Sequence, residues 1–312
     1  MRTAVLLSAL LALPAQAQET RVFTDHLDRQ VTVPANPTRI VSLGSKNVTV
    51  PLIELGAVPV GSQGTQRTDG SRVIRASGVT TGVDFDNSEI AFVGDFPVDL
   101  ELVAALEPDL IIWPDWQDGV ALEQVEAIAP TVAYVTDTAL HEAQEFYARL
   151  LGRGDLLAAN RARYDAQLAQ LKGLAADGTT VSYLQAFDGT IYSCNPYGHI
   201  GLVLGEAGFD FPPIIDTIAP GDCDGFSAES LQDFDADWIF VTYRTDRGQT
   251  PADAVAALEE VLPSYCTALT ACQAGRLVFM PREEVTTPSY DAAMAVMFAL
   301  ATHMSDPARQ VD

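Results

Sequence analysis

Residues 98–113, VDLELVAALEPDLIIW, are echoed in the second half of the chain by residues 226–241, FSAESLQDFDADWIFV. Laid on each other without a gap, the two segments place Glu101 over Glu229 and Asp109 over Asp237. An apolar run follows each aspartate, 110–113 in one copy and 238–241 in the other. A chain that writes the same short helix, the same acid at its start and the same buried strand twice is restricted to architectures made of two similar units.

The surrounding pattern says which units. From Thr38 onward strand-like and helix-like stretches alternate: a strand over 39–43, a short helix over 46–55 ended by Gly56, and a strand over 58–61. A Gly-, Thr- and Asp-rich stretch runs to Asn87, followed by a helix over 100–106, a strand over 109–113, a helix near 120–128 and a strand over 131–136. Strands separated by short helices read as a parallel sheet covered on both faces. Residues 139–175 break the rhythm with helices over 141–151 and 156–175, divided by Gly152, Arg153 and Gly154. The second would run about 30 Å at the α-helical rise, enough to bridge two lobes. The alternation then resumes through 180–187, 201–207, 227–234, 237–243, 252–262 and 276–280 to a last helix over 289–303. The expected fold is therefore α/β, with two Rossmann-like lobes containing parallel sheets, one long α-helix joining them, and a ligand cleft between. The expected divisions are an N-terminal lobe over 18–138, a helical connector over 139–176 and a C-terminal lobe over 177–312.

Charge and cysteine usage narrow the setting. Acids outnumber bases 42 to 18, a formal net charge of −24, which argues against nucleic acid and against an anionic membrane surface. Arg2, an apolar run over 4–13 and the small-x-small triplet Ala15, Gln16, Ala17 read as an export leader cleaved near Ala17. That run is too short to span a bilayer. No cysteine lies near the cleavage point, so a periplasmic chain without a lipid anchor is expected. Cys194, Cys223, Cys266 and Cys272 suit two disulfides in an oxidising compartment, with three connectivities open. Proximity favours Cys266 with Cys272, leaving Cys194 with Cys223. Their spacing matches no zinc pair, and no metal site is expected.

Taken together, TRIVSLGSKNVTVPLIELGAVPVG, VDLELVAALEPDLIIW, DLLAANRARYDAQLAQL, FSAESLQDFDADWIFV and AGRLVFMP, in this order and spacing, make a family signal spread over nearly all of the mature chain. The chain resembles the helix-linked (class III) periplasmic substrate-binding proteins of ABC importers that take up iron-siderophores, haem or cobalamin. The resemblance implies a monomeric carrier, without cofactor or catalysis, that captures a ferric siderophore and delivers it to a membrane permease dimer. In that family each lobe presents a glutamate that docks into an arginine pocket of the permease, and Glu101 and Glu229 occupy those positions. An acid also favours a helix start without any partner. An exported enzyme is the competing class. It lacks support: there is no G-x-S-x-G elbow, His141 and Glu142 lack a second histidine for a zinc helix, and the Gly152–Gly154 turn follows no strand.

Ligands of open parallel sheets bind beyond the carboxyl ends of the strands. The loops expected there are 44–47, 63–68 and 114–119 from the first lobe, and 188–199, 244–248 and 281–287 from the second. They hold Lys46, Arg67, Trp116, Tyr192, Tyr197, His199, Arg244, Arg247 and Arg282, with Trp113 and Tyr243 at adjoining strand ends. Arg247 reads as a surface ion pair and Trp113 as core, so the others form the expected ligand-binding set. Cations gathered at one mouth of an acidic protein suggest an anionic chelate, catecholate or carboxylate, packed on Trp and Tyr. Some relatives complete the iron shell with His and Tyr. Here Asp222 and Cys223 stand where the histidine before the 227–234 helix would be, so a saturated complex without protein ligation of iron is expected. Haem would require Tyr197 or His199 as an axial ligand, and cobalamin a weakly charged cleft.

Overall fold

In the computed structural model the two echoed aspartates make the same bonds. Asp109 accepts from the backbone N–H and hydroxyl of Thr38 at 2.8 and 3.0 Å; Asp237 accepts from the same two groups of Thr180, also at 2.8 and 3.0 Å. Each carboxylate thus ties the start of its own strand to the start of a neighbouring one. The structure describes residues 18–305 except Asp118, Asp137, Ala176 and Asp177, and the expected leader over 1–17 lies outside the described residues.

After a hairpin of β1 (Thr20–Thr24) and β2 (Gln30–Pro34), the first lobe builds a sheet from β3 (Ile40–Ser42), β4 (Gly61–Ser62), β7 (Ala91–Phe92), β8 (Leu110–Pro114) and β9 (Thr131–Tyr134). A small hairpin, β5 (Thr65–Gln66) and β6 (Arg72–Val73), interrupts the series. The sheet order is β7-β4-β3-β8-β9, parallel throughout. Successive side chains of a strand point to opposite faces. Leu110 and Ile112 accordingly join Ile40, Val132 and Phe146 on one side, while Ile111 joins Val41, Val93 and Val103 on the other. Both faces are covered, which is why the apolar runs are continuous.

The second lobe has β10 (Val181–Phe187), β11 (Thr190–Cys194), β12 (Cys223–Phe226), β13 (Trp238–Tyr243) and β14 (Leu277–Pro281), in the order β12-β11-β10-β13-β14. Only the β10–β13 and β13–β14 pairings are parallel; β11 pairs antiparallel with both β10 and β12. The expected cleft loop over 188–199 is therefore partly strand. The repeated helices also differ in winding, α-helical over Leu100–Ala105 and 3₁₀ over Ala228–Phe234.

Between the lobes, the helix Leu140–Leu151 buries Ala143, Phe146, Tyr147, Leu150 and Leu151 against the first lobe and ends at Gly152, whose φ of 66° favours glycine. The helix Gly154–Lys172 spans about 28 Å at the α-helical rise. Leu157 touches both cores, and Tyr164, Leu168 and Leu171 belong to the second. Across this joint Glu54 of the first lobe accepts from the N–H groups of Tyr290 at 3.2 Å and Asp291 at 2.8 Å, at the start of the helix Tyr290–Met304, and from Gln144 at 2.8 Å.

Burial, aided by neighbouring Asp291, pushes Glu54 up to about 7 although those N–H donors pull the other way. A carboxyl whose folded pKa exceeds its unfolded value takes up a proton on folding, so stability falls as pH rises through the window from 4.5 to about 7. Urea denaturation of the parent and Glu54→Gln is expected to show the parent losing up to about 3 kcal/mol relative to the variant across that window. Parallel profiles would remove Glu54 as the titrating group.

Candidate functional site

The first strand turn aims Lys46 across the gap between lobes. β3 ends at Ser42; two residues on, at Gly44, a Cβ would come within 2.9 Å of Val48, and the chain enters a π-helical turn over Ser45–Thr49. Hydrogen bonds from Ser45 N–H to Gln63 at 3.0 Å and from Gln117 to the Leu43 carbonyl at 2.6 Å fix this corner. The Lys46 ammonium donates to the Thr286 hydroxyl at 2.6 Å and lies 3.8 Å from the Glu283 carboxylate. Both acceptors come from the second lobe. Burial, with Arg75 and Arg282 nearby, lowers Lys46 to about 7 against the pull of Glu283.

Glu283 is the hub of the charges. It is fully buried on the short helix Arg282–Val285 that follows β14, and receives Arg75 at 2.6 and 3.0 Å and Arg282 at 3.0 Å, with Arg244 at 4.0 Å. Burial alone would raise it, but Lys46, Arg75 and Arg282 hold it far below the usual carboxylate range. Asp246, equally inaccessible, takes Arg244 at 2.7 and 3.1 Å, with Arg75 at 3.6 Å and Arg247 at 3.7 Å. Arg67 of the first lobe donates to the backbone carbonyls of Thr245 at 2.8 Å and Asp246 at 3.4 Å.

Two cavities open on either side of Lys46 and Arg282, which line both. The larger, about 290 Å³, is walled by Thr136, Leu140, Tyr197, His199, Thr286 and the Cys194–Cys223 bridge. The smaller, about 220 Å³, is walled by Ser45, Asn47, Arg75 and Trp116. The Tyr197 hydroxyl is paired with Thr242 at 2.7 Å, and Trp116 stacks at 5.8 Å on the exposed ring of Phe96. Burial lowers His199 to about 3, so its imidazole is neutral, and its Nδ1 has no partner. Among the described residues no group of three His, Cys, Asp or Glu is placed to hold a metal ion.

Of the expected ligand contacts, Lys46, Trp116, Tyr197, His199 and Arg282 come together around these cavities. Arg67 and Arg244 line neither cavity; Arg67 is held by the carbonyls of Thr245 and Asp246, and Arg244 by the Asp246 carboxylate. Tyr243 is half-buried at the end of β13, and Tyr192 is 39% exposed on β11; neither lines these two cavities. Trp113 donates to the Val120 carbonyl at 2.9 Å and packs in the core, and the Arg247 side chain is 56% exposed beside Asp246.

Beyond the site, Glu101 is exposed in the first turn of its helix, where the Asp99 side chain accepts the Glu101 N–H at 2.9 Å. Glu229 is exposed in the matching turn and accepts the Ser227 hydroxyl at 2.6 Å, which holds it below its ordinary range. A family model described as periplasmic binding protein matches residues 76–283, well over half of the chain. The chain belongs to the periplasmic binding protein family.

Relatives of this binding protein include the "Probable siderophore-binding lipoprotein YfiY" of Bacillus subtilis, 28% identical over 248 residues that cover 75% of this chain and 72% of the relative. Among solved structures, a FhuD-fold periplasmic binding protein component of a Fep/Fec-like ferrichrome ABC transporter from Bacillus subtilis superposes with a TM-score of 0.73 at 22% identity, covering 91% of this chain and 100% of that one. The triscatecholate siderophore binding protein FeuA from Bacillus subtilis, complexed with Ferri-Bacillibactin, gives 0.73 at 17% identity, covering 91% and 98%. These structures establish the fold of the binding protein as two α/β lobes.

Three residues of the charge cluster between the lobes escape a reading of the sequence: Arg75, Asp246 and Glu283. Arg75 lies in the Gly-, Thr- and Asp-rich stretch, which offers no periodicity to place it. Asp246 and Glu283 stand next to Arg247 and Arg282, but in a chain with 42 acids adjacency does not single them out.

The disulfides of the binding protein join Cys194 to Cys223 across β11 and β12, and Cys266 to Cys272. Their sequence separations are 29 and 6. Loop-closure entropy assigns about 3.6 kcal/mol to the longer loop and about 2.3 to the shorter. Paired Cys→Ser variants are expected to rank in that order in urea denaturation. Ligand affinity should fall only for the Cys194/Cys223 pair, whose bridge walls the larger cavity; a reversed order would mean that native strain outweighs chain entropy.

Proposed function

We propose that this chain captures an anionic ferric siderophore outside the cytoplasmic membrane and delivers it to the permease dimer of an ABC importer. The observation that carries the reading is the junction at Lys46 and Arg282, where cations of both lobes converge between two cavities in a protein of net charge −24. Such a cleft favours a ligand with several negative oxygens. The siderophore-binding name of the curated relative supports the same class, and the ferrichrome ABC transporter named for a structural neighbour supports the importer. Two disulfides suit an exported chain. Release after Ala17 into the periplasm completes the reading, and the mass of the exported chain tests it.

Docking through Glu101 and Glu229 belongs to the same proposal. A helix that leads into a parallel strand starts at the end of the sheet where the strands finish, so both acids stand toward the cleft side of their lobes. A two-lobed carrier meeting a two-fold permease needs the same contact twice, and a carboxylate–guanidinium pair supplies both orientation and energy.

Purified protein titrated with ferric catecholates, ferric hydroxamates, ferric citrate, haem and cobalamin tests the ligand class, with tryptophan quenching as readout. Binding of an anionic ferric chelate in preference to a neutral hydroxamate, weakening with added salt, is the expected result. Binding of haem or cobalamin alone would overturn it.

A further inference from the structure

Resting on the anionic-chelate reading, we infer that Glu283 is a specificity-determining counter-anion, which competes with the ligand for Lys46 and Arg75 and so sets how much negative charge a ligand must carry. Its two carboxylate oxygens are divided between the lobes. Oε2 holds the first-lobe cations, Arg75 at 2.6 Å and Lys46 at 3.8 Å. Oε1 faces the second-lobe cations, Arg282 at 3.0 Å and Arg244 at 4.0 Å. The carboxylate therefore stands where an oxygen of an anionic ligand would bridge the same groups.

Arg244 does not require Glu283, because Asp246 receives it at 2.7 Å. Lys46 and Arg75 reach out of the first lobe: Glu283 receives Arg75 at 2.6 Å, closer than Asp246 at 3.6 Å, and stands 3.8 Å from Lys46, which also donates to Thr286. A ligand that draws them away leaves a buried carboxylate short of partners, which is costly. A neutral chelate offers nothing in exchange. A single negative group only replaces one carboxylate by another. A ligand with several anionic oxygens supplies more contacts than it removes, using the remaining protons of Lys46 and the buried Nε of Arg282, which has no partner. The filter thus selects for multiple charge, and charge alone does not require iron.

The test compares the parent, Glu283→Gln and Glu283→Asp, using ferric citrate and iron-free citrate as probes in calorimetry and tryptophan fluorescence, with melting temperature reporting the fold. Glu283→Gln is expected to bind citrate at least about tenfold more tightly than the parent, the effect of roughly 1.4 kcal/mol. Glu283→Asp keeps the charge and should stay near the parent. Equal or weaker citrate binding by a folded Glu283→Gln would overturn the inference and reduce Glu283 to a scaffold for the arginines. Should that variant not fold, Arg75→Gln/Glu283→Gln compared with Arg75→Gln carries the same expectation, and equal affinities would again overturn it. If the parent binds no ferric chelate while Glu283→Gln gains citrate, the proposed function fails and the counter-anion stands. Chelate binding without that gain has the opposite meaning.

Discussion

A chain carrying Glu101→Arg and Glu229→Arg is expected to bind its ferric chelate with unchanged affinity and to deliver none of it. Both side chains are exposed and make no contact with either cavity, so their reversal leaves the cleft as it is. If each lobe docks into an arginine pocket as proposed, the new guanidinium meets a like charge on both halves of the permease, and like-charge juxtaposition suppresses association strongly. Single reversals should each reduce import, and the double reversal should bring it to background. The measurement is ligand uptake into vesicles holding the cognate importer, alongside calorimetry of the purified carrier. Full import by the double variant would sink the docking assignment. Lost ligand binding would instead show that the two acids matter to the fold, through the Asp99 and Ser227 turns that hold them.

Lys46→Met should have the largest effect on the ligand. The side chain is 14% exposed, lies between both cavities and brings the first lobe's charge to the second. Methionine preserves much of its bulk and removes the ammonium. Truncating one partner of a desolvated charge pair costs about 2 kcal/mol at the lower end of its range, which corresponds to roughly 30-fold in affinity. The pH dependence gives a second readout. With its pKa lowered to about 7, Lys46 is charged below that value and increasingly neutral above it. An anionic ligand favours the charged form, so parent affinity should fall as pH rises above about 7, with proton uptake on binding. The profile of Lys46→Met should be flat across that range. A flat parent profile, or affinity unchanged by the substitution, would exclude Lys46 from the site.

The two-lobe plan was legible because it depends on signals that are local. Continuous apolar runs report strands buried on both faces, and the repeated helix-aspartate-strand unit reports two copies of one design. Asp109 and Asp237 then acquired a physical role: each clamps a threonine that opens the neighbouring strand. The antiparallel pairings were not legible. β11 alternates buried Ile191 and Ser193 with exposed Tyr192 over five residues, and β12 carries a glycine, so neither shows a run long enough to separate it from a cleft loop. β5 and β6 have two residues each and offer no period at all.

The site divides along the same line. The sequence by itself determined that cations and aromatics cluster beyond the strand ends, because the position of a loop relative to its strand follows from chain order. It also determined that two equivalent acids head two equivalent helices. Only the tertiary structure decided which charges meet. Arg75 and Glu283 are 208 residues apart, as Lys46 and Thr286 are 240 apart, and no periodicity links such pairs. Burial leaves its mark on composition locally, whereas the partner of a buried charge is set by how the two lobes face each other.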